Sequence, residues 1–65
     1  MMNTVRMIYW KEDDFWLGYV EEYPDYQTQG LTIDELKENV IDLYDDINAG
    51  LVPNPKKAQV MEIII

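Results

Sequence analysis

Residues 28–47, "TQGLTIDELKENVIDLYDDI", decide the fold because they contain the start, the apolar face and the charged face of one helix. Thr32 is predicted as the N-cap, since its hydroxyl can accept a hydrogen bond from the backbone N–H of Glu35 while the Glu35 carboxylate reaches back. Gly50 suits the position after the last turn. The helix is therefore predicted to run from about 32 to 48.

The two sides of this predicted helix differ sharply. Apolar residues recur at spacings of three and four, as in a helix that buries one stripe. These residues are Ile33, Leu36, Val40, Leu43, Tyr44 and Ile47. Acidic residues occupy most of the remaining surface, including Glu38, Asp42, Asp45 and Asp46. The apolar stripe is predicted to pack on a sheet.

Three strands are predicted before the helix and one after it. β-branched and aromatic residues mark strands at 4–11 and 15–22, joined by a polar hairpin turn whose type the sequence leaves open. A short third strand is predicted at 26–29, with Gly30 expected to take a positive φ and turn the chain towards the helix. Two prolines make residues 51–58 a connector, and the apolar segment 59–65 is predicted as the last strand.

The predicted fold class is therefore α+β. The element order is β-β-β-α-β, with one antiparallel-dominated sheet and a single helix packed on one face. Residues 1–65 form one domain, because neither an internal repeat nor a change of composition divides them.

The predicted strands carry more apolar side chains than one helix can cover. In the first strand both faces are apolar, and in the last strand Val60 and Ile64 oppose three further apolar residues. We therefore expect a homo-oligomer, a dimer or a tetramer. Its interface is predicted at Ile8, Trp10, Met61, Ile63 and Ile65. In the alternative, the 51–58 connector covers the second face or the aromatic residues are simply exposed.

Charge and composition narrow the function. Thirteen acidic against five basic residues give a formal charge of −8, which disfavours direct binding to nucleic acid and suits a basic partner, or only solubility. The chain has no cysteine, histidine or serine. It therefore lacks the side chains for a thiolate or imidazole metal site and the usual catalytic nucleophiles. We predict no catalytic site, no metal site and no cofactor. The apolar runs are too short for a membrane span, and we expect a cytoplasmic protein.

The many carboxylates raise the alternative of a metal-dependent nuclease, since converging carboxylates can hold Mg²⁺. That alternative ranks low, because the first strand offers no acid between Thr4 and Trp10 and the helical acids point outward by periodicity. Glu12, Asp13 and Asp14 are interpreted as solvated turn residues rather than a calcium loop.

Residues 16–40, "WLGYVEEYPDYQTQGLTIDELKENV", resemble the HicB-like antitoxin family. The family pattern has a hairpin strand ending in x-Y-V-P-E-L-P-G-C, a T-x-G turn and T-x-E-E-A before a helix. Matching positions are Tyr19, Val20, Glu22, Pro24, Thr28, Gly30, Thr32, Glu35, Glu38 and Asn39, and Pro53 and Pro55 resemble the family's proline connector. Asp25 and Tyr26 depart from its Gly-Cys, and Glu21 from its frequent Pro.

The resemblance implies a reduced ribonuclease-H-like domain that binds a basic HicA-type mRNA-cleaving toxin and blocks its RNA-cleaving surface. Family members usually continue into a DNA-binding segment, and this sequence is expected to represent the toxin-neutralising part alone. The hypothesis places partner binding on Glu38, Asp42, Asp45, Asp46, Trp10, Trp16 and Tyr23. The alternative is an oligomeric regulatory or structural protein of the same fold with a different partner.

Overall fold

A computed structural model describes residues 4–65. Its elements are β1 (Met7–Glu12), β2 (Phe15–Val20), β3 (Thr28–Gly30) and α1 (Ile33–Asn48). The strands form one sheet in the order β1-β2-β3, and both neighbouring pairs are antiparallel. The predicted α+β class, with three antiparallel strands followed by one helix, is confirmed.

The β1–β2 hairpin closes over a turn of two residues. Glu12 pairs with Phe15, and the register continues to Met7 opposite Val20. Asp13 takes the positive φ of 48° that such tight hairpins require, a conformation that Asp tolerates better than most residues. β2 ends at Val20, two residues before its predicted end, because the chain then turns and the Tyr23 N–H donates to the Val20 carbonyl.

The hairpin register assigns the side chains of the sheet to two faces. The helix side carries Met7, Tyr9, Trp16, Gly18 and Val20. The opposite side, here called the open face, carries Ile8, Trp10, Phe15, Leu17 and Tyr19. Among residues 4–65, α1 is the only helix, and it packs on the helix side.

The core lies between α1 and β2. Leu36 and Val20 are 0% and 1% exposed, and Val40 and Ile47 are also buried. The predicted apolar stripe is confirmed at these three helical positions, whereas Ile33 lies at the exposed rim of the first turn. Burial of this stripe against the sheet is what holds the helix, because apolar area removed from water contributes about 25 cal/mol per Å².

Both predicted helix ends are observed. The Glu35 backbone N–H donates to the Thr32 hydroxyl oxygen at 3.1 Å, which is the first half of the predicted capping box. Ala49 is the C-cap, and Gly50 follows it with a φ of 76°, the left-handed conformation that commonly ends a helix.

Gly30 has a different role from the one predicted. It lies inside β3 and is not in the positive-φ region. A Cβ atom built on it would come within 2.6 Å of the Leu36 backbone nitrogen and 2.9 Å of the Leu36 Cα atom. The position therefore needs glycine because strand and helix backbones approach closely there, not because the chain turns.

The predicted last strand does not form within the single chain. Residues 59–65, here called the tail segment, have no regular secondary structure, and every one is exposed. Val60 is 68% exposed, Met61 83% and Ile64 100%. The observed order over residues 4–65 is β-β-β-α, because a strand requires a neighbour for its backbone hydrogen bonds and the tail segment has none here.

The connector that precedes the tail segment is attached to the body. The Tyr26 hydroxyl donates to the Pro53 carbonyl, and the Ala58 N–H donates to the Glu22 carbonyl. Lys57 pairs with Glu22 at 3.0 Å, which raises the pKa of the Lys57 ammonium through that hydrogen bond and the carboxylate charge. A raised lysine pKa means that this exposed contact stabilises the fold below the lysine's ordinary pKa and is lost at strongly alkaline pH.

Candidate interaction surfaces

A row of carboxylates runs along the outer side of α1. We call it the acidic ridge, and it consists of Asp34, Glu38, Asp42 and Asp45. Their spacings of four, four and three residues place them on one line of the helix surface, and all four are exposed. At about 1.5 Å per residue the ridge is about 16 Å long. Asp46 lies beside its end.

The ridge carries unbalanced negative charge. The ion pairs among residues 4–65 are Arg6–Glu21 at 2.6 Å and Lys57–Glu22 at 3.0 Å, and neither involves a ridge residue. Lys37 is the single basic residue within α1. A basic surface that met this ridge would find carboxylates held at fixed spacing on a rigid element, none of them in an ion pair within residues 4–65.

The last turn of the helix opposes its own dipole. Asp45 and Asp46 lie near the carboxyl end of α1, where the dipole favours cations, and no basic residue accompanies them in that turn. Each such charge costs the isolated helix about 0.3–1 kcal/mol. The local stability of the helix therefore does not explain these two acids.

The open face of the sheet is the second surface. Trp10 and Tyr19 meet there edge to face, with ring centroids 6.2 Å apart. Ile8 is exposed beside them, and Leu17 and Phe15 are half-buried. The centre of this face is rich in aromatic residues, as interface cores are, and the register places Glu12 at one end of it.

The predicted partner-binding residues are divided among three places. Glu38, Asp42, Asp45 and Asp46 lie on the outer side of the helix, and Trp10 lies across the sheet on the open face. Trp16 and Tyr23 pack against the core cluster on the helix side, where Trp16 also contacts Tyr9 at a centroid distance of 5.9 Å. A single flat partner cannot contact all seven, so the acidic and aromatic sets form separate surfaces.

Sequence reasoning missed a groove between β1 and α1. It has a volume of about 260 Å³ and is lined by Val5, Met7, Lys37, Val40 and Ile41. Ile41 is the feature of the sequence that indicates this groove, because it is an apolar residue outside the predicted stripe. In the structure its side chain is 54% exposed. The groove lies on the helix side, next to the outer edge of β1.

The carboxylates of the described chain are spread rather than convergent. Among residues 4–65 no group of three or more His, Cys, Asp or Glu side chains is placed to hold a metal ion. Every buried side-chain nitrogen or oxygen in that range has a hydrogen-bond partner. No helix in the same range is both long and apolar enough to cross a membrane.

No protein-family model, curated protein or solved structure matches the chain. The resemblance to HicB-like antitoxins therefore depends on the residue pattern of segment 16–40 alone.

Proposed function

We propose that the chain is a non-catalytic protein-binding module that neutralises a basic, HicA-type mRNA-cleaving toxin by direct contact. The acidic ridge is the observation that carries this proposal. It presents ordered carboxylates on the outside of a helix whose core side is fixed by Leu36 and Val40. A ribonuclease needs a positive surface to hold RNA, and a row of fixed carboxylates competes for that surface.

Two features of the fold support the same reading. The formal charge of −8 steers association with a cationic protein and disfavours RNA itself as a ligand. The β-β-β-α layout is compatible with a reduced ribonuclease-H-like domain of the HicB type. We place toxin contact on Glu38, Asp42 and Asp45, and we assign the open face to another contact.

The test mixes the purified chain with a basic HicA-type toxin and measures both association rate and protection of RNA from cleavage. Charge reversal at three ridge positions, Glu38→Lys, Asp42→Lys and Asp45→Lys together, is expected to slow association about 10- to 100-fold at low salt. Raising the salt concentration should lower the association rate of the unmodified chain with the toxin, so that its rate comes closer to that of the ridge variant.

A matched control reverses three charges elsewhere. Glu12→Lys, Asp14→Lys and Asp25→Lys change the net charge equally but lie on exposed positions outside α1. The ridge variant should lose association rate and RNA protection well beyond this control variant. Equal losses would show that only net charge matters, and unchanged binding by the ridge variant would refute the proposed contact.

The alternative is an oligomeric regulatory or structural protein with a partner other than a toxin. The open face favours it, because an apolar surface containing Trp10 and Tyr19 suits protein contact without any requirement for a basic partner. Failure of several basic HicA-type toxins to bind, together with retained self-association, would select this alternative.

A further inference from the structure

The tail segment has the composition of a buried strand and the exposure of an unfolded one. Five of its seven residues are apolar, and Val60, Met61, Ile63, Ile64 and Ile65 are each at least two-thirds exposed. Exposing so many large apolar side chains is unfavourable in water. The segment follows directly from Ala58, which is hydrogen-bonded to the body through Glu22, so it projects from an anchored position.

The body has a free edge of matching length. In the strand order β1-β2-β3, the outer edge of β1 is unpaired within residues 4–65. β1 contains six residues, and at about 3.3 Å per residue its edge is about 20 Å long, which a tail segment of seven residues can span. Free edges of this kind attract strands from other chains unless something covers them.

We infer that the tail segment of one copy pairs along the outer edge of β1 in a second copy, and that the second copy reciprocates. Each chain supplies one free strand and one free edge, and a two-fold exchange satisfies both at once. This inference concerns self-assembly and does not depend on the toxin proposal.

The groove beside β1 fixes which side of the tail segment faces the helix. Strand alternation places Val60, Glu62 and Ile64 on one side. Glu62 is the one charged residue of the tail segment, and Lys37 lines the groove without an ion pair among residues 4–65. Facing Glu62 towards Lys37 pairs these charges and sets Val60 and Ile64 against the apolar groove walls.

The other side of the tail segment then extends the open face. Met61, Ile63 and Ile65 continue the apolar surface of Ile8 and Trp10 on the neighbouring strand. One strand added at this edge therefore brings together all the residues that the sequence predicts for the oligomer interface.

Cross-linking tests which chain receives the tail segment. The sequence contains no cysteine, so Lys37→Cys and Glu62→Cys each introduce a unique thiol. One variant is labelled with ¹⁵N, mixed with the other, and treated with a short bismaleimide. Peptide mass spectrometry should then find positions 37 and 62 linked between a labelled and an unlabelled chain, whereas replacing Lys37→Cys by Lys56→Cys should give no such link.

Two results would overturn the inference. In a chain carrying both substitutions, links confined to that same chain, together with none in the mixture, would show that the tail segment closes on its own β1. No link between the two positions in either sample would show that the tail segment does not dock at this edge.

Sedimentation of point variants gives an independent readout. Ile63→Asp should raise the dimer dissociation constant about 100-fold or more, because it places a charge in an apolar interface. Lys37→Glu and Glu62→Lys should each raise it about 10-fold, and combining them should recover most of the loss. An unchanged constant for Ile63→Asp would contradict the docking, and a double variant no better than the singles would contradict the assigned facing.

Discussion

The helix and the tail segment show how similar apolar patterns reach different outcomes. The helix has apolar residues at helical spacing and the tail segment is apolar on both sides, yet Leu36 is fully buried in the chain and Ile64 is fully exposed. The helix follows β3 directly in the chain and packs against the sheet. The tail segment follows a connector that is hydrogen-bonded to the body, and it has no neighbouring strand within the described residues. An apolar pattern therefore favours burial of a segment, but burial within the chain also requires a neighbouring element for it to pack on.

The largest expected contrast comes from truncating one apolar side chain in each region. Leu36→Ala should lower the free energy of unfolding by about 3 kcal/mol, because it leaves a cavity in the core between α1 and β2. Ile63→Ala should change the unfolding of dilute monomer by less than about 0.5 kcal/mol, since that side chain is exposed within its own chain. Urea denaturation followed by circular dichroism measures both. Equal losses would mean that the tail segment packs on its own body.

The close approach at Gly30 gives the next contrast. Gly30→Ala should destabilise the fold by about 2 kcal/mol, because the new Cβ atom would lie 2.6 Å from the Leu36 nitrogen and the backbones must separate. Gly18→Ala is the matched control, since its nearest atom is 3.1 Å away and a smaller adjustment suffices. Both variants are compared by their urea midpoints. A Gly30→Ala protein as stable as the unmodified chain would refute the close-packing explanation.

Substitutions at Thr32 test how much the N-cap hydrogen bond contributes to the stability of the helix. Thr32→Ala should cost about 1 kcal/mol, because the Glu35 N–H loses the hydroxyl that accepts its hydrogen bond. Thr32→Ser keeps that oxygen and should retain most of the stability. Thermal unfolding by calorimetry measures the difference, and equal losses in the two variants would assign the effect to packing instead of capping.

The smallest expected effect has opposite signs at the two ends of the acidic ridge. Asp45→Lys should stabilise the free chain by about 0.5 kcal/mol, because it puts a cation at the carboxyl end of α1. Asp34→Lys, in the first turn, should destabilise it by a similar amount. Low-salt urea titrations distinguish the two. If Asp45→Lys were destabilising, the argument that this acid serves binding rather than stability would fail.

Local chemistry made much of the body predictable from sequence. Thr32, Glu35 and Gly50 mark the helix ends through interactions within a few residues of each other, and these were predicted with correct boundaries to within one residue. The hairpin was also predictable, although its turn type was not, because Asp13 supplies a positive φ where glycine is usual.

Features that depend on distant segments were less accessible to sequence reasoning. Gly30 was assigned a turning role, because its contact with the Leu36 backbone exists only after strand and helix pack. Trp10 and Trp16 lie on opposite faces of the sheet because of the hairpin register, which local sequence patterns do not specify. The tail segment was predicted as a strand from its residues alone, without regard to whether its own chain would offer an edge.

Sedimentation equilibrium of the unmodified chain, from nanomolar to high micromolar concentration, tests most directly whether a second copy covers the exposed apolar surface. The mass should rise from the 7.7 kDa of one chain at low concentration to twice that value. A species that stays at 7.7 kDa over the whole range would contradict the account.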